Sequence, residues 1–279
     1  MTDSTAAGHV LIGTSGWAYD SWRGDFYPDV LRQDDELAYL ARRTTATEVN
    51  ATFYRLQRPS TFRRWRDALP AGHRVAIKGS RYLTHMKQLR DPEAGLANLL
   101  ASGVLALSDH LDVVLWQLPA RMKYDEERIG RFLDALPRTM GAAARLAAEH
   151  EAPAPGEENA VLAVAHPRAR LRHALEPRHR SFDTTEAADL LAAHDVAMVC
   201  SDSPGSWPAF DRDTASFRYV RLHGHSDLYA SRYSDRSLDR WAERCGQWTD
   251  AGQDVHVYFD NDARGHAPHD ALRLLDRLT

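Results

Sequence analysis

The sequence predicts an α/β protein, a closed (β/α)8 barrel of the TIM type with an irregular crossover between its sixth and seventh strands. Three observations predict it. Eight short apolar runs recur along the chain, helical patterns separate most of them, and seven of the runs carry a polar or charged residue near the C-terminal end. Alternation of strand and helix argues for a parallel sheet, and eight such units close into a barrel.

Strands are expected at Val10–Thr14, Thr47–Phe53, Arg74–Ser80, Val113–Leu118, Arg172–Arg178, Ala197–Asp202, Phe217–His223 and Val255–Asn261. Their length and β-branched content suit strands. Helices are expected at Asp34–Arg43, Ser60–Leu69, Leu96–His110, Asp125–Leu136, Thr185–His194, Leu238–Ala251 and His266–Leu278. Ser60 is placed to cap one of them, and Asp125-Glu126-Glu127 load another's first turn with negative charge, which opposes the helix dipole. Between the sixth and seventh strands, Ser203–Ser216 holds Pro204 and Pro208 and shows no helical period. Gly141–Asn159, rich in Ala, Glu and Pro, predicts a short extra helix followed by a flexible loop. Barrels of this kind reach about 250 residues as one unit, so residues 1–279 are expected to form a single domain.

Composition narrows the function. Hydrophobic residues make up 43% of the chain and the formal net charge is −4, which gives no general attraction to nucleic acid or anionic membranes. Nucleic acid remains a partner only through a local basic patch. Cys200 and Cys245 are too few for a disulfide framework or a structural zinc site, and they point to a reducing compartment, the cytoplasm. Met1–His9 lacks the basic start and apolar stretch of a signal peptide. The apolar run Val104–Trp116 is interrupted by Asp109 and Asp112 and is too short to span a bilayer. Oligomeric state is left open.

Strand parity then locates a site. Alternate residues of a strand face opposite ways, and barrel sites lie where the strands end. With Val49, Ile77, Trp116, Leu175, Val199, Val220 and Val257 facing the helices, the inward set is Glu48, Asn50, Lys78, Gln117, Glu176, Arg178, Asp202, Arg221, His223, Tyr258 and Asp260. Charges are seldom buried without partners, so this convergence reads either as a ligand site or as a network of charges that neutralise one another.

Glu48 and Glu176 are the expected catalytic acid and base, since carboxyls in unlike surroundings can divide those roles, with His223 assisting. Lys78, Arg81, Arg178 and Arg221 suit an anionic ligand, and arginine supplies a planar fork for carboxylate or phosphate. Lys78 also suits a Schiff-base amine if its pKa is lowered, although an ion pair with Glu48 or Glu176 is its plainer role. His85, Asn261 and the aromatic residues Tyr54 and Tyr229 complete the expected binding rim. Trp17, Tyr19, Trp22, Phe53 and Tyr233 lie close to strand ends too, and loop packing accounts for Trp22 and Phe53. His223-Gly224-His225 has the spacing of a metal-binding pair, but the nearby cations would repel a metal, so no cofactor is expected and a divalent metal stands as the alternative. Gly13-Thr14-Ser15-Gly16 is not a nucleophile elbow, because its second glycine comes one place early.

Several motifs resemble those of the domain-of-unknown-function 72 family, also called YecE-like. They are Gly13-Thr14-Ser15-Gly16-Trp17, Trp22-Arg23-Gly24 with Phe26-Tyr27-Pro28, Glu48-Val49-Asn50 with Thr52-Phe53-Tyr54, Lys78 with Thr84-His85, Gln117-Leu118-Pro119, Glu176 with Arg178-His179, Asp202, Tyr219 to Gly224, and Tyr258 to Asp262. The resemblance runs from Ile12 to about Leu278. It implies the barrel and no particular reaction. The family commonly has Asn where Asp260 stands, which argues against a fixed catalytic role there, and an apolar residue where Pro177 stands, which predicts a bulge at that strand end.

The functional expectation is an enzyme of the hydrolase, lyase or isomerase kind, acting on a small anionic, sugar- or nucleotide-like substrate with a carboxylate acid/base. Two alternatives stand beside it: a metal-dependent barrel acting on sugars or nucleic-acid phosphodiesters, and a non-catalytic protein that binds nucleic acid or another ligand. Fold cannot choose among them, because this barrel hosts unrelated reactions.

Overall fold

A computed structural model describes residues 7–151 and 160–279. Among them run nine parallel strands: β1 (Val10–Ser15), β2 (Ala46–Val49), β3 (Arg74–Lys78), β4 (Leu111–Gln117), β5 (Arg172–Glu176), β6 (Val196–Met198), β7 (Cys200–Asp202), β8 (Phe217–Leu222) and β9 (Asp254–Phe259). The sheet order is β6-β5-β4-β3-β2-β1-β9-β8-β7. The two edges are therefore consecutive in the chain and are separated only by Val199.

These edges are the two halves of the run expected as one sixth strand. Met198 is in register with Leu175 of β5, whereas Cys200 is in register with Val220 of β8. The result is a nearly closed barrel with one unsealed seam. Thr214, in the non-helical crossover, explains how the seam is tolerated. Its Oγ1 accepts from Met198 N at 2.7 Å and donates to Val196 O at 2.8 Å. A loop hydroxyl thus satisfies backbone groups that would otherwise be left unpaired in the interior.

Helices are α1 (Glu36–Ala41), α2 (Ala51–Tyr54), α3 (Pro59–Ala68), α4 (Glu93–Ala101), α5 (Glu126–Ala135), α6 (Met140–Ala147), α7 (Thr185–Ala193), α8 (Asp235–Asp250) and α9 (His266–Leu275). α6 is the extra short helix that was expected. The loop expected after it falls mostly on residues 152–159, which lie outside the described residues. Three further segments differ from expectation. The helix expected to run from Leu96 to His110 stops at Ala101, because Gly103 has φ +122° and lies so close to Pro59 that a Cβ there would meet its Cα at 2.7 Å. A 3-10 stretch, Val104–His110, follows. The expected second strand also ends early, at Val49, and Asn50 opens the short turn of α2. β5 stays in register with β4 as far as Glu176 and stops before Pro177, without the bulge expected there.

Inside the barrel, Ala46, Ala76, Val113, Leu115, Ala174, Tyr219 and Tyr258 form one buried cluster. Small residues of β2, β3 and β5 leave room for the tyrosines of β8 and β9. Ile77, Trp116 and Leu175 face the helices on one side, and Ile12, Val220, Val257 and Phe259 on the other. Val199 and Ala197 belong to the interior cluster, while Met198 and Cys200 pack outward. The parity expected for the sixth run is therefore off by one residue. Ala197-Met198-Val199-Cys200 is apolar on both faces, and a run of that kind does not fix its own register. Among the described residues, no helix is long and apolar enough to cross a membrane.

Candidate functional site at the C-terminal mouth

The floor of the C-terminal mouth is built around Arg221, which is fully buried at the end of β8. It grips Glu48 with two nitrogens, Nε to Oε2 at 3.1 Å and Nη2 to Oε1 at 2.8 Å. Nη1 donates to Glu176 Oε2 at 2.9 Å, and Nη2 also reaches Ser15 Oγ at 2.8 Å and Asp260 Oδ2 at 3.0 Å. Tyr219 donates its hydroxyl to Glu48 Oε2 at 2.7 Å, and the Ser15 hydroxyl donates to Glu48 Oε1. Arg178 donates to Glu176 Oε1 at 3.0 Å, and its guanidinium lies 3.8 Å over the Trp207 ring.

Burial alone would drive these carboxyls toward the neutral form. For Glu176 the opposing charges of Arg178 and Arg221 outweigh burial and hold it well below the usual carboxylate range. For Asp260 burial is likewise outweighed, by Arg221 and His223. Arg221 is held above its ordinary value despite burial, by Glu48, Asp260 and Glu176. His223, also fully buried, has Nδ1 2.8 Å from Asp260 Oδ2 and Nε2 3.4 Å from Glu176 Oε1. Neither contact is aligned as a hydrogen bond, and the ring is wedged between Trp207 and Tyr229.

Above this floor opens a cavity of about 660 Å³. Lys78, Arg81, His85, Gln117 and Arg178 line one side, and Tyr19, Asn50, Asp260 and Asp262 another, with Phe53, Tyr54, Tyr229 and Ala263 completing it. A cavity of about 690 Å³ lies at the opposite mouth, where Arg172 bonds to Asp112 and Asp254. The C-terminal cavity is the candidate site, because barrel sites lie at that face and because two of the cations lining it, Lys78 and Arg81, have no carboxylate partner among the described residues.

Lys78 is the clearest case. It is only 8% exposed, yet among the described residues its Nζ has no hydrogen-bond partner and no carboxylate oxygen within 4.0 Å; the Phe53 ring lies 4.7 Å away. Burial and the nearby Arg221 lower it to about 8. Burial and the charges of Arg81, Lys78, Arg178 and Arg121 lower His85 to about 4. On the acidic side, burial and Asp260 raise Asp262 to about 7.

Of the residues singled out in the sequence, Asn50, Tyr54, Lys78, Arg81, His85, Gln117, Arg178, Tyr229 and Asp260 share the cavity wall. Glu48, Glu176, Arg221 and His223 form the sealed floor beneath it and are fully buried. Three residues are not at the cavity. Tyr258 faces inward but one layer deeper, against Tyr219 with ring centroids 5.1 Å apart. Asn261 comes after β9 has ended, where strand parity no longer applies, and its amide bonds to Asp270 of α9. Asp202 faces outward, near Tyr233, because of the parity error at Val199. His225 is exposed, so the His223-Gly224-His225 pair does not converge. Among the described residues, no group of three His, Cys, Asp or Glu side chains is placed to hold a metal ion. Ser15, Phe53, Trp207 and Asp262 were not expected at the site, whereas Tyr19, noted as an aromatic beside a strand end, does line the cavity. Phe53, Trp207 and Asp262 lie beyond strand ends, where strand periodicity cannot read, and Ser15 is the last residue of β1.

Residues 11–279 match the family model described as a protein of unknown function, DUF72. This chain belongs to the DUF72 family. The DUF72 fold is equally clear in solved structures. A DUF72 protein from Thermotoga maritima is 22% identical, with a TM-score of 0.74 over 97% of this chain and 99% of that one. Another, from Enterococcus faecalis, is 14% identical, with a TM-score of 0.70 over 96% of this chain and 95% of that one. At these identities the likeness establishes the DUF72 barrel and nothing about chemistry. No curated protein matches the chain significantly.

Proposed function

We propose that this DUF72 protein is an enzyme of the hydrolase, lyase or isomerase kind that acts on a small anionic, sugar- or nucleotide-like substrate. The observation that carries the reading is the charge left over on the cavity wall. Glu48, Glu176 and Asp260 are matched by Arg221 and Arg178 through direct bonds. Lys78 and Arg81 on the same wall have no anionic partner among the described residues. Lys78 is buried, and a buried cation without a counter-ion is costly; a phosphate or carboxylate of a ligand supplies one, with the exposed Arg81 adding a second positive charge at the rim.

Glu48 and Glu176 now fit the role of a scaffold better than that of acid and base, since neither reaches the cavity. The carboxylate acid/base moves to Asp262, which lines the cavity and changes charge near neutral pH. Metal chemistry finds less support, because the carboxylate oxygens that would bind a metal already accept from arginine. A cytoplasmic location is supported by two buried free thiols, Cys200 and Cys245. The test is calorimetric titration with sulfate, sugar phosphates and nucleotides, followed by turnover assays on whichever binds. Absence of saturable binding by all of them would sink the reading.

A further inference from the structure

We propose that Lys78 is an amine nucleophile, condensing with the carbonyl group of a small aldehyde or ketone that carries a carboxylate or phosphate. The proposal rests on the anionic-substrate reading above and names the chemistry of the same site.

Four observations support it. First, the expected partners of Lys78 are taken: both oxygens of Glu48 and Oε2 of Glu176 accept from Arg221, and Glu176 Oε1 accepts from Arg178. Lys78 is left buried beside the Phe53 ring with its amine on the cavity wall. A neutral amine avoids the penalty that a lone ammonium would suffer there. Second, the surroundings favour the neutral form. Burial and the Arg221 charge bring the amine to about 8, so an appreciable share is unprotonated near neutral pH. Third, only three of the 35 lysine and arginine residues in the chain are lysine, namely Lys78, Lys87 and Lys123. Where lysine or arginine pairs with a carboxylate among the described residues, as at Glu48, Glu176 and Asp260, it is arginine, whose guanidinium does not lose its proton in proteins and is no nucleophile. Lysine stands at the cavity wall, where that difference matters. Fourth, the cavity offers helpers. Gln117 is 6% exposed and its amide has no hydrogen-bond partner among the described residues, leaving it free to bind the carbonyl oxygen. Arg81 is left to hold the anionic group.

The step balances without oxidant or reductant. The Nζ lone pair forms a bond to the carbonyl carbon, and the carbonyl π pair moves to oxygen, which takes a proton. The amine then loses its protons and the hydroxyl departs as water, giving an imine. Amine plus carbonyl thus yields imine plus one water. Protonated Asp262, which lines the same cavity from the other side, is the group assigned to supply the proton that carries the hydroxyl away.

The test is trapping with sodium borohydride in the presence of pyruvate or, separately, dihydroxyacetone phosphate, on the full chain. The hydride reduces any imine to a stable secondary amine, visible as a mass increase on one peptide. The expected result is an adduct on the peptide containing Lys78, formed fastest between about pH 7, where Asp262 ionises, and about pH 8, where the amine loses its proton, with one of the two probes showing whether carboxylate or phosphate is preferred. Lys78→Arg and Lys78→Met should both lose the adduct, and Lys78→Arg should still bind sulfate. Sulfate binding by the wild type with no adduct from either probe would overturn the nucleophile and leave the anion site standing. An adduct on Lys87 or Lys123, or one that survives in Lys78→Arg, would overturn it as well. A wild type that binds neither sulfate nor the probes would remove the anionic-substrate reading itself.

Discussion

Arg221 and Glu48 form a two-pronged ion pair with both side chains fully out of solvent. Removing one partner of such a pair strands the other, which typically costs about 3–5 kcal/mol. We expect Arg221→Met to lose stability on that scale, and Arg221→Lys to lose less, since it keeps the charge but cannot serve Glu48, Glu176 and Asp260 together. Urea denaturation is the measurement. A variant as stable as the wild type would show that the floor network is not a structural keystone.

Arg81 should behave in the opposite way. It lines the cavity without an ion pair or side-chain hydrogen bond among the described residues. Arg81→Ala should leave the urea midpoint nearly unchanged, as substitutions away from packed features do, within about 0.5 kcal/mol. It should weaken sulfate binding by about tenfold or more, the scale of one charge-assisted hydrogen bond. Unchanged affinity would place the anion elsewhere.

Sulfate binding should also report the two titrating groups on the wall. Sulfate keeps its charge between pH 6 and 9, so any pH dependence belongs to the protein. Affinity should fall as Asp262 ionises near pH 7 and fall again as Lys78 loses its proton near pH 8. In Asp262→Asn only the second step should remain. A wild-type affinity that stays flat across this range would contradict both assignments.

His173 gives a stability prediction remote from the cavity. Its Nδ1 accepts from Trp116 Nε1 at 3.2 Å and its Nε2 faces Pro137 O at 2.8 Å, which defines a neutral ring. Burial lowers it to about 3, and burial lowers His256 to about 4. The unfolded chain takes up these protons near pH 6.5, so it binds more protons than the folded chain below that value, and stability falls as pH falls from about 6.5 toward 4. The carboxylates add a second loss below about pH 4, because Glu176 and Asp260 are depressed in the fold. A urea midpoint that is constant from pH 6.5 to 4 would refute the histidine contribution.

Strand parity made much of this site legible. Glu48, Lys78, Gln117, Glu176, Arg221 and Asp260 all face inward because each sits at or just past the end of a strand whose other face is plainly apolar. Parity failed at Asp202, where Val196–Cys200 is apolar on both sides and carries no register signal. It could not reach Asp262 or Asn261, which follow the end of β9. Nor does it report depth. Lys78 and Arg221 both read as inward cations, yet one meets the cavity and the other is enclosed by three carboxylates. That difference arises from contacts between β2, β5, β8 and β9, which are far apart in the chain.

The seam at Val199 has a consequence for how this barrel can vary. Elsewhere a change of strand length must be matched by both neighbours, because paired backbones share a register. At the open edge of β6 the backbone is met by the hydroxyl of Thr214, in the crossover leading to β8, rather than by a ladder. Residues added to or removed from 203–213 leave every strand pairing intact, so long as a hydroxyl is still delivered to Val196 and Met198. That stretch carries Trp207, on which Arg178 rests. The breach in the ring is thus the place where descendants of this chain can reshape the mouth without refolding the barrel beneath it.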